Sequence, residues 1–198
     1  MMKPLSLPRP HLIIMVGIPG AGKSFFADHF ATTFQTPIIN RSQLVRTLFG
    51  ASSVDSTTSA VVNKVVASML TELFKTNQTV IYEGQAASKT ARNELIKIAL
   101  KAGYAPLFIW VQTESYEAKR RATKLSKDAT ALTAEQFDQA IDQFDVPSPA
   151  EHAIVISGKH TYASQLKIVL KHLTSTRALI KPTSTPRQTP PTRNITVR

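Results

Sequence analysis

The chain has 198 residues, of which 42% are hydrophobic, enough to bury the core of one ordinary domain. It contains no cysteine, which excludes a disulfide framework, thiolate zinc ligation, a Cys nucleophile and thiol redox chemistry, and which agrees with a reducing compartment. The formal charge of +11 is concentrated at the ends: Lys3 and Arg9 near the start, and Arg177, Lys181, Arg187, Arg193 and Arg198 near the finish, have no acid among them.

The milder positive balance of residues 11–174 suits an anionic ligand such as a nucleotide and is a weak sign of a duplex-binding surface. Residues 1–10 show no secretory cleavage pattern. The longest apolar run, at residues 12–18, falls far short of the roughly 20 residues needed to cross a bilayer. The expectation is a soluble, cytoplasmic, monomeric protein with no membrane segment.

In chain order, residues 11–17 predict a buried strand and 23–35 an amphipathic helix. A short strand over 37–40 follows, then a short helix over 42–49 and a Ser/Thr-rich loop over 51–59. Residues 60–75 carry helical spacing through Val61, Val65, Met69 and Leu73, and Thr79 to Glu83 reads as a second core strand. Ser88 is a candidate cap for a helix to about Ala102, with Gly103 beyond its end; Tyr104 to Val111 is another apolar strand. Glu114 to Lys127 predicts a basic helix, and Thr133 with Gln136 forms a capping box for a helix to about Phe144, before Pro147 and Pro149. A last strand over 152–157, a turn at Gly158 and a last helix over 161–173 complete the domain. Five strands with interleaved helices predict an α/β, doubly wound, mostly parallel sheet over residues 11–174.

Residues 175–198 hold four prolines and eight Ser or Thr with few large apolar residues, so they are expected to form a disordered basic tail. It is either a solvated extension or an arm in weak, salt-sensitive contact with nucleic acid.

The segment Gly17-Ile18-Pro19-Gly20-Ala21-Gly22-Lys23-Ser24 carries the chemistry. Small residues let such a loop curl so that backbone N–H groups converge on phosphate oxygens, with the positive end of the next helix aimed at the same place. The expected nucleotide contacts are Gly17, Pro19, Gly20, Ala21, Gly22, Lys23, Ser24 and Phe25, with Lys23 on the outer phosphates and the Ser24 hydroxyl on Mg2+. Glu83 closes a buried strand, where a second magnesium or catalytic carboxylate of a phosphate-loop protein sits; a solvated strand end is the plainer alternative. Gly84 beside it permits close approach of a ligand or of backbone. Arg120, Lys124 and Lys127 share a helical face, and with Arg121 they are candidate lid cations over a transferring phosphoryl group; a solvated basic face is again the alternative.

The phosphate loop, Asn40-Arg41-Ser42-Gln43, Val80 to Gly84, Lys119 to Lys124, residues 147–151 and the strand after them together resemble the AAA-type ATP-binding kinases related to phage polynucleotide 5′-kinase, and more distantly the zeta toxins. The resemblance implies an adenylate-kinase-like P-loop fold with a helical lid, ATP and Mg2+ as cofactors, and a hydroxyl acceptor bound near residues 40–46 and 83–92. Three departures stand out. The family commonly has Asp where Ser42 stands, and that Asp is the presumed base; its second acid is often Asp where Glu83 stands; an Arg of its lid falls on Lys124.

The expected function is transfer of the γ-phosphate of ATP to a hydroxyl of a small molecule, nucleoside or polynucleotide end. The catalytic set is Lys23, Glu83, Arg120, Arg121 and Lys124. Alternatives are an ATP-binding protein with weak or lost transfer, acting as a nucleotide-dependent switch, and a nucleotide hydrolase driving a larger assembly. Asp55 is a further candidate acid, and His29, on the first helix, is read as structural.

Overall fold

A computed structural model describes residues 9–50, 55–125 and 131–179 of the chain. Among the described residues, five strands form one parallel sheet: β1 (His11–Val16), β2 (Ile38–Asn40), β3 (Val80–Glu83), β4 (Ala105–Gln112) and β5 (Ile154–Ser157). Their spatial order is β2-β3-β1-β4-β5. The helices between and after them are α1 (Lys23–Phe34), α2 (Arg41–Phe49), α3 (Ser56–Phe74), α4 (Lys89–Lys101), α5 (Ser115–Arg120), α6 (Ala134–Asp142) and α7 (Tyr162–Leu179).

The central strand shows why the sheet is parallel and covered. In β1, Leu12, Ile14 and Val16 pack on one face with Val62, Val66 and Leu70 of α3 and Leu95 and Ala99 of α4. Ile13 and Met15 pack on the other with Phe26, Ala27 and Phe30 of α1 and Val169 and Leu173 of α7. A strand apolar at every position is stable only between two helical layers, and the crossover helices supply both. Asn40, Asp55, Ser88 and Thr133 cap α2, α3, α4 and α6, each accepting a hydrogen bond from a backbone N–H of the first turn, and Thr133 with Gln136 forms the expected capping box.

Three expectations need correction. Helix α3 starts at Ser56, inside the expected loop, and it buries Val62, Val66, Leu70 and Phe74 while Val61 and Met69 face solvent. Two adjacent apolar columns run along this helix, and burial picks the one a residue later than the spacing first suggests. The basic helix is broken: α5 ends at Arg120 and a π-helical turn spans Arg121–Leu125. The last helix continues to Leu179, past the expected end at residue 173. Residues 180–198, residues 51–54 of the loop and Lys127 lie outside the described residues. No helix among the described residues is long and apolar enough to cross a membrane.

One buried ion pair ties the loops at the carboxyl edge together. Arg92 on α4 is fully buried and donates through Nε and Nη2 to both carboxylate oxygens of Glu151. Its Nη1 donates to the carbonyls of Ala86, Ala87 and Asp145 at 3.2, 2.9 and 2.9 Å. Glu151 also accepts from the Ser148 backbone N–H at 2.7 Å. The loop after β3 is thereby latched to the segment between α6 and β5. Hydrogen bonds from Arg92, the largest cause, and then from Ser148 outweigh burial and hold the Glu151 carboxyl at about 2.

Breaking a buried pair leaves an uncompensated charge, so Arg92→Met should cost about 3–5 kcal/mol, and Arg92→Met with Glu151→Met should recover part of that loss. A depressed acid contributes stability above its unfolded value, so the pair's contribution should be complete above about pH 4.5 and fade as pH falls toward 2. Urea denaturation of the wild type and both variants from pH 3 to 7 checks this; equal stability of the single and double variants would contradict it.

Candidate active site

Strand order fixes what meets at the carboxyl edge. Because β3 lies between β1 and β2, the loop after β1, Glu83 at the end of β3 and Asn40 at the end of β2 come side by side, with Asn40 in register with Glu83. In doubly wound sheets ligands bind at this edge, where neighbouring strands send their connections to opposite faces.

The phosphate loop is closed by its own lysine. Lys23 Nζ donates to the carbonyls of Gly17 and Ile18, both at 2.9 Å, which uses two of its three protons and leaves one for a ligand. Burial lowers the pKa of this ammonium and the nearby Glu83 carboxylate counters the shift. Gly22 precedes α1 in the left-handed conformation, φ 104°, and provides no side-chain cap, so the first N–H groups of the helix are left for an anion.

Glu83 joins three elements. It accepts from the Ser24 hydroxyl at 2.7 Å on one oxygen and from Asn40 Nδ2 at 2.9 Å on the other. The Asn40 amide is itself oriented, since its oxygen accepts from the Gln43 N–H at 3.0 Å. Burial pushes the Glu83 carboxyl above the usual carboxylate range, and the hydrogen bond from Ser24 and the Lys23 charge limit the rise.

A cleft of about 600 Å3 opens over this junction, lined by Pro19, Gly20, Lys23 and Ser24 on the loop side, by Glu83 and Gln85 after β3, and by Arg41, Ser42 and Arg46 of α2. Arg121 and Ala122 roof it. The roof rests on the loop: a Cβ on Gly20 would collide with the Ala118 carbonyl and come within 3.1 Å of the Ala122 nitrogen. Gly158 works the same way from the β5 side, where a Cβ would collide with the Ala21 carbonyl and the Thr113 hydroxyl, which donates to that carbonyl at 2.9 Å.

Of the expected site residues, the cleft therefore brings together Pro19, Gly20, Lys23, Ser24, Glu83 and Arg121. Gly17 flanks a smaller adjoining cavity of about 200 Å3, and Ala21 is buried beneath the loop. Phe25 faces away, its ring 4.3 Å from that of His29. Arg120 turns outward onto Glu117, with both donor contacts at 3.0 Å, and Lys124 is exposed; neither lines the cleft. Arg121 donates to Glu117 and to the Gly158 carbonyl, each at 3.0 Å. Hydrogen bonds from Arg120 and then Arg121 hold the Glu117 carboxyl at about 2. Asp55 is spent on capping α3, accepting from the Thr58 N–H at 2.7 Å, and it does not line the cleft. The atom that approaches Gly84 is the Tyr82 hydroxyl of the same chain, which accepts from the Gln85 N–H.

Sequence reasoning did not single out Arg46 or Gln85, although both lie in the ranges 40–46 and 83–92 expected for the acceptor, and it read Gly158 only as a turn. Arg46 stands four residues after Ser42, so helical spacing alone could have placed it on the same face.

A phosphate loop strapped by its lysine, a Ser–Glu contact at the adjacent strand end and a basic roof define a nucleotide-binding α/β protein of the P-loop kinase fold. The AAA domain model matches residues 12–147, and the chain belongs to that family. No curated protein matches it. Among solved structures, it is similar to a gluconokinase from Sinorhizobium meliloti, with 13% identity over 86% of this chain and 95% of that one and a TM-score of 0.63. It is similar also to a sugar kinase from Janibacter, with 15% identity over 88% and 99% and a TM-score of 0.62. A third is Kti12 from Chaetomium thermophilum in complex with ADP-AlF3, with 17% identity over 82% and 97% and a TM-score of 0.61. These likenesses establish the fold.

Glu83→Gln keeps both hydrogen bonds, because the new amide oxygen can accept from Asn40 and its nitrogen can donate to the Ser24 hydroxyl. A carboxyl raised by folding favours its protonated form; that contribution is complete below about pH 4.5 and is lost as pH rises through the higher folded value. The apo variant should therefore melt no lower than the wild type at pH 5, with the difference in its favour growing toward neutral pH. Melting curves across pH 4 to 8 check this, and a variant that falls below wild type as pH rises would contradict it.

Proposed function

We propose that the protein is an ATP-dependent phosphotransferase, moving the γ-phosphoryl group of ATP to a hydroxyl acceptor. The observation that carries this reading is the convergence of Lys23, Ser24, Glu83 and Arg121 on one cleft at the carboxyl edge of the sheet. The donor set suits magnesium: a hydroxyl and a carboxylate are hard oxygen ligands, and among the described residues no cluster of three or more His, Cys, Asp and Glu side chains competes as a metal cage. Ser24 and Glu83 would hold Mg2+ there, and the ion would supply positive charge to the phosphates.

The residues then divide the work. Lys23 and the N–H groups opening α1 hold the phosphates. Glu83 fixes the Ser24 hydroxyl for the metal. Glu83 is the only carboxylate among the described residues lining the cleft, and each of its oxygens keeps a free lone pair, so it also receives the acceptor proton. Its raised pKa makes it a stronger base than an exposed carboxylate. As the acceptor oxygen bonds to the γ-phosphorus, the bond to the bridging oxygen breaks and ADP departs. Arg121, the lid cation already over the cleft, meets the charge on the transferring group. Arg120 and Lys124 serve only if the lid turns to bring them inward.

A second reading, a nucleotide-binding switch with little transfer, is favoured by one observation: Ser42 lines the cleft where the resembling kinases have an acid. Incubation with γ-labelled ATP, Mg2+ and pools of metabolites, nucleosides and 5′-hydroxyl oligonucleotides separates the two. The expected result is a labelled acceptor whose formation falls by about 10²–10⁴ in Glu83→Gln. Near wild-type turnover in that variant would remove Glu83 as the base, and nucleotide binding with no labelled acceptor would favour the switch.

A further inference from the structure

The last strand begins late. β4 pairs with β1 from Ala105 onward but with β5 only from Ile109, so Ala105 to Phe108 have no strand beside them on that flank. The gap is a cavity of about 460 Å3 at the amino edge of the sheet, large enough for a small molecule. The phosphate loop and its cleft lie beyond the other end of β1, about 20 Å away at 3.3 Å per residue. A molecule in this cavity therefore occupies neither the nucleotide site nor the acceptor site.

The lining has two halves. Ile96 of α4, Pro106 and Phe108 of β4 and Leu173 of α7 form an apolar floor. Arg9, His11, Lys89, His152 and His172 stand around it. The one acid among the described lining residues, Glu151, is already spent: Arg92 donates to both of its oxygens, and the Ser148 N–H and hydroxyl donate to one of them.

The permanent cations have no such partner. The Lys89 ammonium and the Arg9 guanidinium make no hydrogen bond or ion pair among the described residues. Both residues are nevertheless anchored through the backbone: the Lys89 N–H donates to Asp145 at 2.8 Å, and the Arg9 carbonyl accepts from His11 Nδ1 at 3.0 Å. Burial lowers the His11 pKa, the hydrogen bond to the Arg9 carbonyl counters the shift, and the Arg9 charge adds to it, so positive charge is crowded here. His152 enters β5 with a left-handed backbone, φ 47°, which glycine adopts at least cost; the chain keeps an imidazole there, at the cavity. A neutral molecule would leave the cations unmatched, and a bare inorganic ion would leave the floor wet. An organic anion satisfies both halves.

We propose that this gap is a second ligand site, which takes a small organic anion, a carboxylate or phosphate ester on an apolar body, with Arg9 and Lys89 on the anionic group. The site stands apart from the kinase reading and does not depend on it.

Calorimetric titration of the full chain tests this, with the phosphate loop first saturated by Mg2+ and a non-hydrolysable ATP analogue so that the nucleotide site cannot take up the probes. The probes are phenylacetate, phenyl phosphate, benzyl alcohol and inorganic phosphate. At least one of the two aromatic anions should bind about tenfold more tightly than both benzyl alcohol and inorganic phosphate. Preference for phenylacetate marks a carboxylate, and preference for phenyl phosphate marks a phosphate ester. Arg9→Gln combined with Lys89→Gln should weaken that binding about tenfold. Ala150→Trp, which fills the cavity from an exposed position and leaves the cations in place, should abolish it. Both variants should keep the wild-type response to the nucleotide analogue, which shows that they fold. No binding of either aromatic anion, equal binding of benzyl alcohol or of inorganic phosphate, or undiminished binding in the double variant overturns the proposal.

Discussion

The Ser24–Glu83–Asn40 junction is the contact on which the site depends. It ties the phosphate loop, the end of β3 and the start of α2 through one carboxylate, with hydrogen bonds of 2.7 and 2.9 Å. Each half of the cleft is hung from it: the loop side is fixed through Ser24, and α2 starts from Asn40. A carboxylate buried this far is costly, and the raised Glu83 pKa records that cost. Lys23 and Arg46, the cations that offset it, also line the cleft.

The roof shows how local chain geometry selects among equivalent charges. A continuous α-helix over 114–127 would set Arg120 and Lys124 on one face. The π-helical turn over Arg121–Leu125 changes the register, and Ala118 and Ala122 come down on Gly20 while Arg121 enters the cleft. Glu117 holds both arginines, one facing out and one facing in, and the Gly158 carbonyl also holds Arg121.

Much of the fold and the loop was legible in the sequence because their signals are local. Gly17 to Ser24 needs no distant partner to be recognised, and β1 and β3 are short apolar runs bounded by glycine or an acid. The contacts that organise the edge were not legible, because they join residues far apart: Arg92 and Glu151 are 59 positions apart, and Asn40 and Glu83 are 43. Gly158 reads as an ordinary turn until the Ala21 carbonyl is seen against it. The buried column of α3 was ambiguous because Val61–Val62, Val65–Val66 and Met69–Leu70 give two apolar columns side by side.

The central claim is that this cleft binds Mg-ATP through the phosphate loop, and Lys23 is the side chain committed to it. Its Nζ contacts are with two loop carbonyls, so replacing it touches the ligand side of the loop more than the core. The most direct measurement is the stabilisation by Mg-ATP of the wild type and of Lys23→Ala, followed by calorimetry. At 100 times the dissociation constant, the wild type should gain about 2.7 kcal/mol and the variant should gain little at the same concentration. Equal stabilisation of the two proteins, or none of the wild type, would contradict the account.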